Sequence, residues 1–369
     1  ILKKPIGRLD PWEVSYLSEL QCQKLYAFDE EQLRPYFEMK VVLEGIFSIF
    51  RRLYGISFCA KKTTISPREG CEDVPVWHES VQYYEVYEKD GRLLGAFYLD
   101  LYPRLGKRSG AWVANQLRQG YYRRTNGQWI TPIGFVGANL TPPTNEQPSL
   151  LTHYEVETLL HEFGHLMHHL MSGVEYASLG GVNVAWDFVE LPSQIMENWA
   201  WEWDVLSSFA KHYQSGAPLP REIYQKMIHA RNHNISIAFM RQLSLQKMDL
   251  DLHCSYDGSP LDAFIEKAID GYVIQYSCKL LSLIRHFTHL FGDTTGYAAA
   301  YYSYKWAEVL DADAFTRFQR KGIFNPAVAR IFRHRILEQG NREPPQVLFR
   351  QFMGRNPCVD ALLFRYGLH

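Results

Sequence analysis

Two histidines and a glutamate in one short stretch have the residue types and the spacing that metal chemistry needs. The stretch TLLHEFGHLMHHL, residues 158–170, contains His161, Glu162 and His165 in the pattern HExxH. Two imidazoles one helical turn apart can bind the same divalent ion, and zinc is the usual ion for this pattern. Zinc lowers the pKa of a bound water to about 7, so that Glu162 could act on it as a general base. The stretch therefore predicts a zinc site with its own base.

The same stretch has the pattern of a buried amphipathic helix. Thr152 and Glu155 match a capping box, which predicts that a helix begins at residue 153. We expect His168 and His169 to be solvated or hydrogen-bonded helix residues rather than ligands. Apolar residues at three- and four-residue steps predict a stripe facing the core, formed by Leu159, Leu160, Phe163, Leu166, Met167 and Leu170.

A third ligand must come from elsewhere, because catalytic zinc usually takes three protein ligands. The metzincin extension requires glycine at 168 and histidine at 171, and the chain has His168 and Met171 there, which excludes that class. A glutamate on a following helix is the other common solution. The segment WDFVELPSQIMENWAWEWD offers Glu190, Glu197 and Glu202, and spacing prefers Glu190 only slightly over Glu197.

Two further carboxylates are candidates for orienting the ligating histidines. Asp187 lies one turn before Glu190, where it can accept a hydrogen bond from a ligating histidine. Glu157 lies one turn before His161 and can orient that ligand in the same way. The alternative for Glu157 is an ordinary surface carboxylate.

Hydrophobic periodicity predicts how the elements around this helix are arranged. Helical spacing covers residues 10–54, with Gly55 in place for a C-terminal cap. Aromatic and β-branched alternation between about 75 and 140 predicts a small sheet. The active-site helix is expected at 153–171, and helices continue to residue 369. This order predicts an α+β fold, predominantly helical, in one region spanning 1–369.

Two strands of the predicted sheet can be placed more closely. The segment SVQYYEVYEKDGRLLGAFYLDLY predicts a hairpin that turns at Lys89-Asp90-Gly91. The segment WITPIGFVGANL, residues 129–140, predicts a further strand just before the helix. In zinc peptidases an extended substrate pairs with the edge strand at this position, so Gly137 and Ala138 are candidates for backbone hydrogen bonds to a peptide. An ordinary core strand is the alternative.

Composition narrows the classes of partner and the cellular location. The chain has 39 Lys and Arg against 40 Asp and Glu, a net charge of -1, so no global field favours nucleic acid or an anionic membrane. No stretch approaches about 18 consecutive apolar residues, which argues against membrane insertion. The six scattered cysteines contain no CxxC pair and are typical of reduced thiols. We expect a cytoplasmic monomer.

A tyrosine-rich segment is the second candidate for chemistry. Residues 287–310 read FTHLFGDTTGYAAAYYSYKWAEVL. A phenol O–H can donate a hydrogen bond to the oxyanion that forms during amide hydrolysis. Glycine and alanine beside the tyrosines would allow close approach to a substrate backbone. Half-buried aromatic residues of a helix are the alternative interpretation.

Two segments of the chain resemble a known family. The segment HEFGHLMHHL, followed by DFVELPSQIMENW, resembles the thimet oligopeptidase and oligopeptidase A family of zinc metallopeptidases, with the bacterial oligopeptidase A branch most similar. The resemblance extends over essentially the whole chain, through the segments EQLRPYF, GAFYLDLYPR, KRSGAW, FQRKGIFN and DALLFRYGL. The resemblance implies a zincin-type catalytic domain and makes Glu190 the third zinc ligand. Family members carry an N-terminal helical region that roofs a channel and restricts substrates to short peptides. We expect that much of this region has no counterpart here.

The resemblance also implies roles in the tyrosine-rich segment. His289, Tyr297 and Tyr304 match residues that line the substrate site and stabilise the intermediate, with Tyr304 the main oxyanion donor. Tyr301 is a further candidate for substrate binding. The segment Gly292–Gly296 makes the loop between His289 and Tyr297 about two residues longer than is usual in the family.

The function that the resemblance implies is that of a zinc endopeptidase. It would hydrolyse internal bonds of short peptides through attack by zinc-bound water, with Glu162 as base and later as proton donor. A peptidyl-dipeptidase of the same fold is one alternative. A zinc-stabilised peptide-binding protein without turnover is another.

Overall fold

Helices dominate the part of the chain that the computed structural model describes, residues 7–67, 70, 72–278 and 280–368. In chain order, helices α1 to α14 are Pro11–Tyr26, Met39–Tyr54, His153–Met171, Trp186–Val189, Leu191–Glu197, Trp203–Phe209, Arg221–Ala230, Ile235–Ser255, Leu261–Ala268, Thr288–Phe291, Ser303–Lys321, Pro326–Phe332, Pro345–Met353 and Asp360–Arg365. Short 3-10 segments are Glu30–Gln32, Arg34–Tyr36, Ala177–Leu179, Asn198–Trp201 and Leu283–His286, and Arg333–Leu337 is a π-helix. The predicted fold class, α+β and mainly helical, is confirmed.

The strands form one mixed sheet and two short ribbons. In chain order, β1 to β9 are Ser57–Lys61, Thr63–Thr64, Val74–Pro75, Gln82–Tyr87, Leu93–Asp100, Trp112–Arg118, Tyr121–Arg123, Gln128–Ile130 and Ile133–Gly137. The main sheet has the order β1-β4-β5-β9-β6, and β2-β3 and β7-β8 are ribbons. Within the main sheet only β5 and β9 run parallel. The first strand begins at Ser57, earlier than the predicted start near residue 75.

Local sequence signals predicted the turn at Gly91 and the cap at Gly55. Strands β4 and β5 form the predicted antiparallel hairpin, and Gly91 at its turn has a φ of 85°. Gly55 caps α2 with a φ of 74° and donates its N–H to the carbonyl of Arg51. The strand predicted over 129–140 is divided into β8 and β9 at Thr131-Pro132, because proline has no N–H to continue a ladder.

Helix α3 packs against strands β5, β6 and β9 of the main sheet. Phe163 is fully buried, and its ring lies 5.9 Å from Phe47, 6.1 Å from Phe50 and 5.7 Å from Phe97. Gly134 on β9 permits this approach, since a Cβ atom there would lie 2.6 Å from Cδ1 of Leu166. These contacts hold the helix at a fixed height and rotation over the sheet.

The chain divides into two compact units. One unit comprises residues 1–32, 221–306 and 366–369, and the other comprises 33–220 and 307–365. The second unit contains the main sheet with α2 to α6. The first contains α1 and α7 to α10, and the boundary at 306/307 falls within α11. The prediction of one catalytic region over 1–369 therefore stays a prediction.

The unit formed around α8 has an apolar core of its own. Leu245 and Met248 of α8 pack with residues of α9 and of the tyrosine-rich segment. The buried members are Leu245, Met248, Ile265, Ile284, Phe287, Leu290 and Tyr301.

Among the helices of the described residues, none combines the length and apolar character that crossing a membrane requires.

Candidate metal centre

The helix that carries the HExxH pattern begins where its capping residues dictate. Helix α3 runs from His153 to Met171. The Thr152 hydroxyl accepts a hydrogen bond from the Glu155 N–H at 3.1 Å, and the Glu155 carboxylate accepts one from the Thr152 N–H at 2.8 Å. The other oxygen of Glu155 accepts the N–H of Thr141 at 2.6 Å. The cap therefore also connects α3 to the chain that leaves β9.

Two side chains of α3 and one from the junction of α4 and α5 converge on one point. Nε2 of His161 lies 3.2 Å from Oε2 of Glu190, and Nε2 of His165 lies 3.0 Å from the same oxygen. One ligand atom from each residue lies within 4.8 Å of the other two. Atoms that share a zinc ion at about 2.0–2.2 Å are themselves roughly 3 Å or more apart, so this donor set fits zinc. The chain thus contains a His-His-Glu group that could hold a metal ion.

The candidate ligand Glu190 is itself held by a buried neighbour. Glu190 stands at the junction of α4 and α5, and its side chain is buried. The Ser193 hydroxyl lies 2.9 Å from Oε2 of Glu190, to which it can donate a hydrogen bond. Burial alone would raise the pKa of Glu190, but the charges of His165 and His161 and their hydrogen bonds lower it well below its usual range. Glu190 is therefore ionised, as a carboxylate that could hold a metal ion must be.

Close packing of α5 on α3 depends on Gly164. A Cβ atom at residue 164 would lie 2.6 Å from Cα of Ser193 and closer still to the carbonyl oxygen of Pro192. Any larger residue would push the two helices apart, because backbone atoms cannot yield as a side chain can. Gly164 thereby lets Glu190 reach His161 and His165.

The second nitrogen of His161 faces another carboxylate. Nδ1 of His161 lies 2.7 Å from Oε1 of Glu197. Burial by itself would lower the pKa of His161, but the hydrogen bonds to Glu190 and Glu197 outweigh it and raise the pKa well above its usual range. Burial raises the pKa of Glu197 to about 7, against the opposing effect of His161. A carboxylate on the far nitrogen fixes the ring orientation of a metal-binding histidine.

Glu162 lies on the same helix, between the two histidines. Its carboxylate is buried, and within the described residues Oε2 has no hydrogen-bond partner. Burial raises the pKa of Glu162, while His161 and His165 act in the opposite direction. A carboxylate poised to accept and return a proton has these properties.

In the other unit, the tyrosine-rich segment forms one aromatic cluster. The ring of His289 lies 5.8 Å from Tyr297 and 6.2 Å from Tyr304. Tyr297 and Tyr304 stack at 5.3 Å with an interplanar angle of 21°. The Tyr297 N–H donates to the carbonyl of His289 at 3.0 Å, which closes the loop Gly292–Gly296 between them. The segment thus brings the three predicted residues into mutual contact.

Comparison with known proteins places this geometry in a family. The model of peptidase family M3 matches residues 2–368. The chain belongs to peptidase family M3. The predicted family membership is therefore confirmed.

Individual relatives of this M3 chain include both oligopeptidases and a dipeptidyl carboxypeptidase. Oligopeptidase A of Escherichia coli strain K12 is 40% identical over 367 residues, which cover 98% of this chain and 52% of that protein. Dipeptidyl carboxypeptidase of the same organism is 34% identical over 368 residues, 97% of this chain and 51% of that protein. The chain therefore spans about half the length of the relatives that it matches.

One solved structure has a fold similar to that of this family M3 chain. The structure described as "The Structure of CHT" superposes with a TM-score of 0.50 at 12% identity, over 97% of this chain and 66% of that one. At this identity the likeness concerns the fold alone.

Two carboxylates near the candidate metal centre have other partners than predicted. The two ring nitrogens of His161 face Glu190 and Glu197, and Nδ1 of His165 has no hydrogen-bond partner in the described residues. Asp187 therefore does not accept a hydrogen bond from either of these histidines. Glu157 instead accepts a hydrogen bond from the Trp201 indole. The reason is packing, because α5 rather than α4 lies along α3 and carries Glu197 to His161.

The expectation for Gly137 and Ala138 is also corrected. Gly137 pairs with Asp100 of β5 on one side and with Trp112 of β6 on the other, and the Ala138 N–H donates to the Asp100 carbonyl at 2.9 Å. Strand β9 is therefore an internal strand, and among the described strands β6 is the edge on this side. The chain after β5 turns back and adds β6 outside β9, which the order of strands in the sequence does not reveal.

Tyr301 and His168 are more buried than expected. Tyr301 is 7% exposed and belongs to the apolar core against α8, so a role in substrate binding stays a prediction. His168 is fully buried, and neither ring nitrogen has a hydrogen-bond partner in the described part of the chain. His169 is also buried, with Nε2 3.3 Å from the carbonyl oxygen of Ile133. Both histidines lie on a helix that is covered by the sheet and by α5.

The sequence argument missed Gly164 and considered Glu197 only as a candidate ligand, although a signal existed for the role of each. Gly164 interrupts a helical pattern, and a glycine kept there at a cost of about 1 kcal/mol indicates close packing. Glu197 follows Glu190 by seven residues, two helical turns, so both lie on the same side of one short helical segment. One of them could then bind the ion while the other orients its ligand.

Proposed function

We propose that this chain is a zinc-dependent endopeptidase that hydrolyses internal bonds of short peptides, acting as a cytoplasmic monomer. The observation that carries the proposal is the convergence of His161, His165 and Glu190, with Glu162 buried on the same helix. His161, His165 and Glu190 would hold the ion. When bound there, zinc would lower the pKa of a water molecule to about 7 and polarise the scissile carbonyl.

The remaining chemistry falls to side chains of the protein. Glu162 takes a proton from the attacking water and then gives it to the leaving amine. Tyr304 donates its phenol hydrogen bond to the oxyanion, with His289 and Tyr297 beside it. Glu197 orients His161.

The cytoplasmic location is supported by the state of the cysteines. The structure describes five of the six as free thiols, namely Cys22, Cys59, Cys254, Cys278 and Cys358, while Cys71 lies outside the described residues. Free cysteines in such number are typical of reducing compartments.

Replacement of Glu162 tests the mechanism. Glu162→Gln keeps the size of the side chain and removes its basicity, so zinc should remain bound while turnover of a quenched-fluorescent peptide falls at least about a thousandfold. Zinc content by atomic emission and turnover would be measured on the same sample. Full activity in the variant would exclude this mechanism.

A peptidyl-dipeptidase is the second candidate, because a relative at 34% identity is named as a dipeptidyl carboxypeptidase. A peptidyl-dipeptidase needs the free carboxylate at the C-terminal end of its substrate. One peptide prepared as the free acid and as the C-terminal amide separates the two activities. We expect both forms to be cleaved at internal bonds. Loss of cleavage only in the amide would favour the peptidyl-dipeptidase.

A further inference from the structure

A carboxylate outside the metal centre is fully buried on α8. Asp249 has no exposed surface. Its Oδ1 accepts the backbone N–H of Ala299 at 2.8 Å, and its Oδ2 accepts that of Tyr301 at 2.8 Å. Each carboxylate oxygen therefore takes one N–H from a segment fifty residues away in the chain. A buried carboxylate is tolerated only when such partners replace its lost hydration.

A third polar group completes the surroundings of Asp249. Nδ1 of His253, one turn later on α8, lies 2.9 Å from Oδ1 of Asp249. The neighbouring residues on this face, Leu245 and Met248, are apolar and pack against Tyr301. Helix α8 thus presents an apolar surface with a single buried carboxylate in it.

The segment that Asp249 holds is an irregular turn before α11. Ala299 has a φ of 57°, a conformation that costs a residue with a side chain about 1–2 kcal/mol. The turn has its own hydrogen bonds from the Ala300 N–H to the Tyr297 carbonyl and from the Ser303 N–H to the Ala300 carbonyl. Asp249 accepts hydrogen bonds from the two N–H groups of Ala299 and Tyr301. The carboxylate therefore stabilises a strained turn that the segment would not keep by propensity alone.

We propose that Asp249 is a positioning residue for the tyrosines of this segment. The turn carries Tyr297 at its start, and α11 begins at Ser303 directly after it, with Tyr304 in the first helical turn. Its geometry decides where α11 starts and brings Tyr304 onto the ring of Tyr297. Asp249 accepts hydrogen bonds from the backbone N–H groups of Ala299 and Tyr301 and acts through this backbone, which lies between the two tyrosines in sequence. The proposal rests on the proposed function, in which Tyr304 stabilises the oxyanion.

The test combines a local measurement of structure with kinetics. Asp249→Asn keeps the size of the side chain but replaces one acceptor oxygen with an N–H₂ group, so at most one of the two backbone bonds survives. Asp251→Asn makes the same change two residues away, where the carboxylate is partly exposed and binds Lys247 at 2.7 Å. Hydrogen–deuterium exchange of peptides covering residues 297–302, zinc content, kcat and KM would be measured for the full chain and both variants.

We expect slow exchange at 297–302 in the unchanged protein and in Asp251→Asn, and faster exchange in Asp249→Asn. Zinc content should be unchanged in all three. In Asp249→Asn, kcat should fall about tenfold to a hundredfold, the effect of displacing a catalytic group by about 1 Å. KM should change by less than about threefold, because a donor that acts mainly on the transition state contributes little to ground-state binding.

Several results would overturn the proposal. Rapid exchange at 297–302 in the unchanged protein would show that Asp249 does not hold the turn, and this measurement needs no variant to fold. Faster exchange in Asp249→Asn with an unchanged kcat would make Asp249 a structural residue only. If the unchanged protein with full zinc hydrolyses no peptide, the proposed function fails, whereas the exchange data still decide whether Asp249 anchors the turn.

Discussion

Nδ1 of His161 lies 2.7 Å from Oε1 of Glu197, while Nε2 of the same ring points at Glu190. The ring is thus held between the carboxylate that would share the metal ion and one that cannot reach Nε2. Such an arrangement fixes which nitrogen is free for the ion and raises its basicity.

Removal of Glu197 should weaken zinc binding without removing a ligand. In Glu197→Ala, Nδ1 of His161 loses its acceptor, and we expect the dissociation constant for zinc to rise about tenfold to a hundredfold. Competition with a zinc chelator at constant pH measures it. Glu222→Ala, which removes an exposed carboxylate paired with Lys226, should bind zinc as the unchanged protein does. An unchanged zinc affinity in Glu197→Ala would contradict an orienting role.

A methyl group at residue 164 should disturb both stability and the metal centre. Alanine is the better helix former by about 1 kcal/mol, but overpacking against the backbone of Pro192 and Ser193 costs about 1–3 kcal/mol. We expect Gly164→Ala to lower the free energy of unfolding in urea and to reduce zinc content. Gly173→Ala provides the control, because a Cβ atom there meets its nearest neighbour, the Glu338 carbonyl oxygen, at 3.6 Å. Higher stability in Gly164→Ala would show that α3 and α5 have room to spare.

The buried histidines of α3 predict a dependence of stability on pH. Burial, with the neighbouring His165 and His169, lowers the pKa of His168 from 6.5 to about 3, and burial lowers that of His169 from 6.5 to about 4. Below about pH 6.5 the unfolded chain therefore binds protons that the folded chain excludes, so stability is present above this pH and is lost as the pH falls. Each histidine contributes a slope of about 1.4 kcal/mol per pH unit in this range.

Replacing one of these rings should flatten that slope. His168→Leu keeps an apolar group in an apolar site, and between pH 6.5 and 4 its unfolding free energy should decline less steeply than that of the unchanged protein. Urea unfolding at several pH values provides the comparison. Parallel curves for the two proteins would mean that His168 does not stay neutral in the folded state.

Loss of the Tyr304 hydroxyl should affect the transition state more than substrate binding. Tyr304→Phe keeps the stacking with Tyr297 but removes the donor, so we expect kcat to fall about a hundredfold to a thousandfold with little change in KM. Tyr302→Phe, at a side chain 37% exposed, is the matched control. A kcat within about twofold of the unchanged value would remove Tyr304 from the mechanism.

Local features of this chain could be predicted because they depend on residues close together in sequence. A capping box and an apolar stripe place α3, and the helical period alone puts His161 and His165 on one side of it. Gly55 and the turn at Gly91 follow from the same kind of argument, since each needs a positive φ at one residue. The class of chemistry, metal with a general base, was therefore present in thirteen consecutive residues.

The tertiary structure decided what depends on partners far apart in the chain. Spacing could not decide between Glu190 and Glu197 as the third ligand, because both lie on the side of α5 that packs on α3. Only the contact between the helices determines that Glu190 faces Nε2 of His161 and Glu197 faces Nδ1. The position of β9 inside the sheet and the burial of His168 depend on which elements cover them. The same holds for Asp249 and its turn, where a carboxylate and two N–H groups fifty residues apart meet only after the chain has folded.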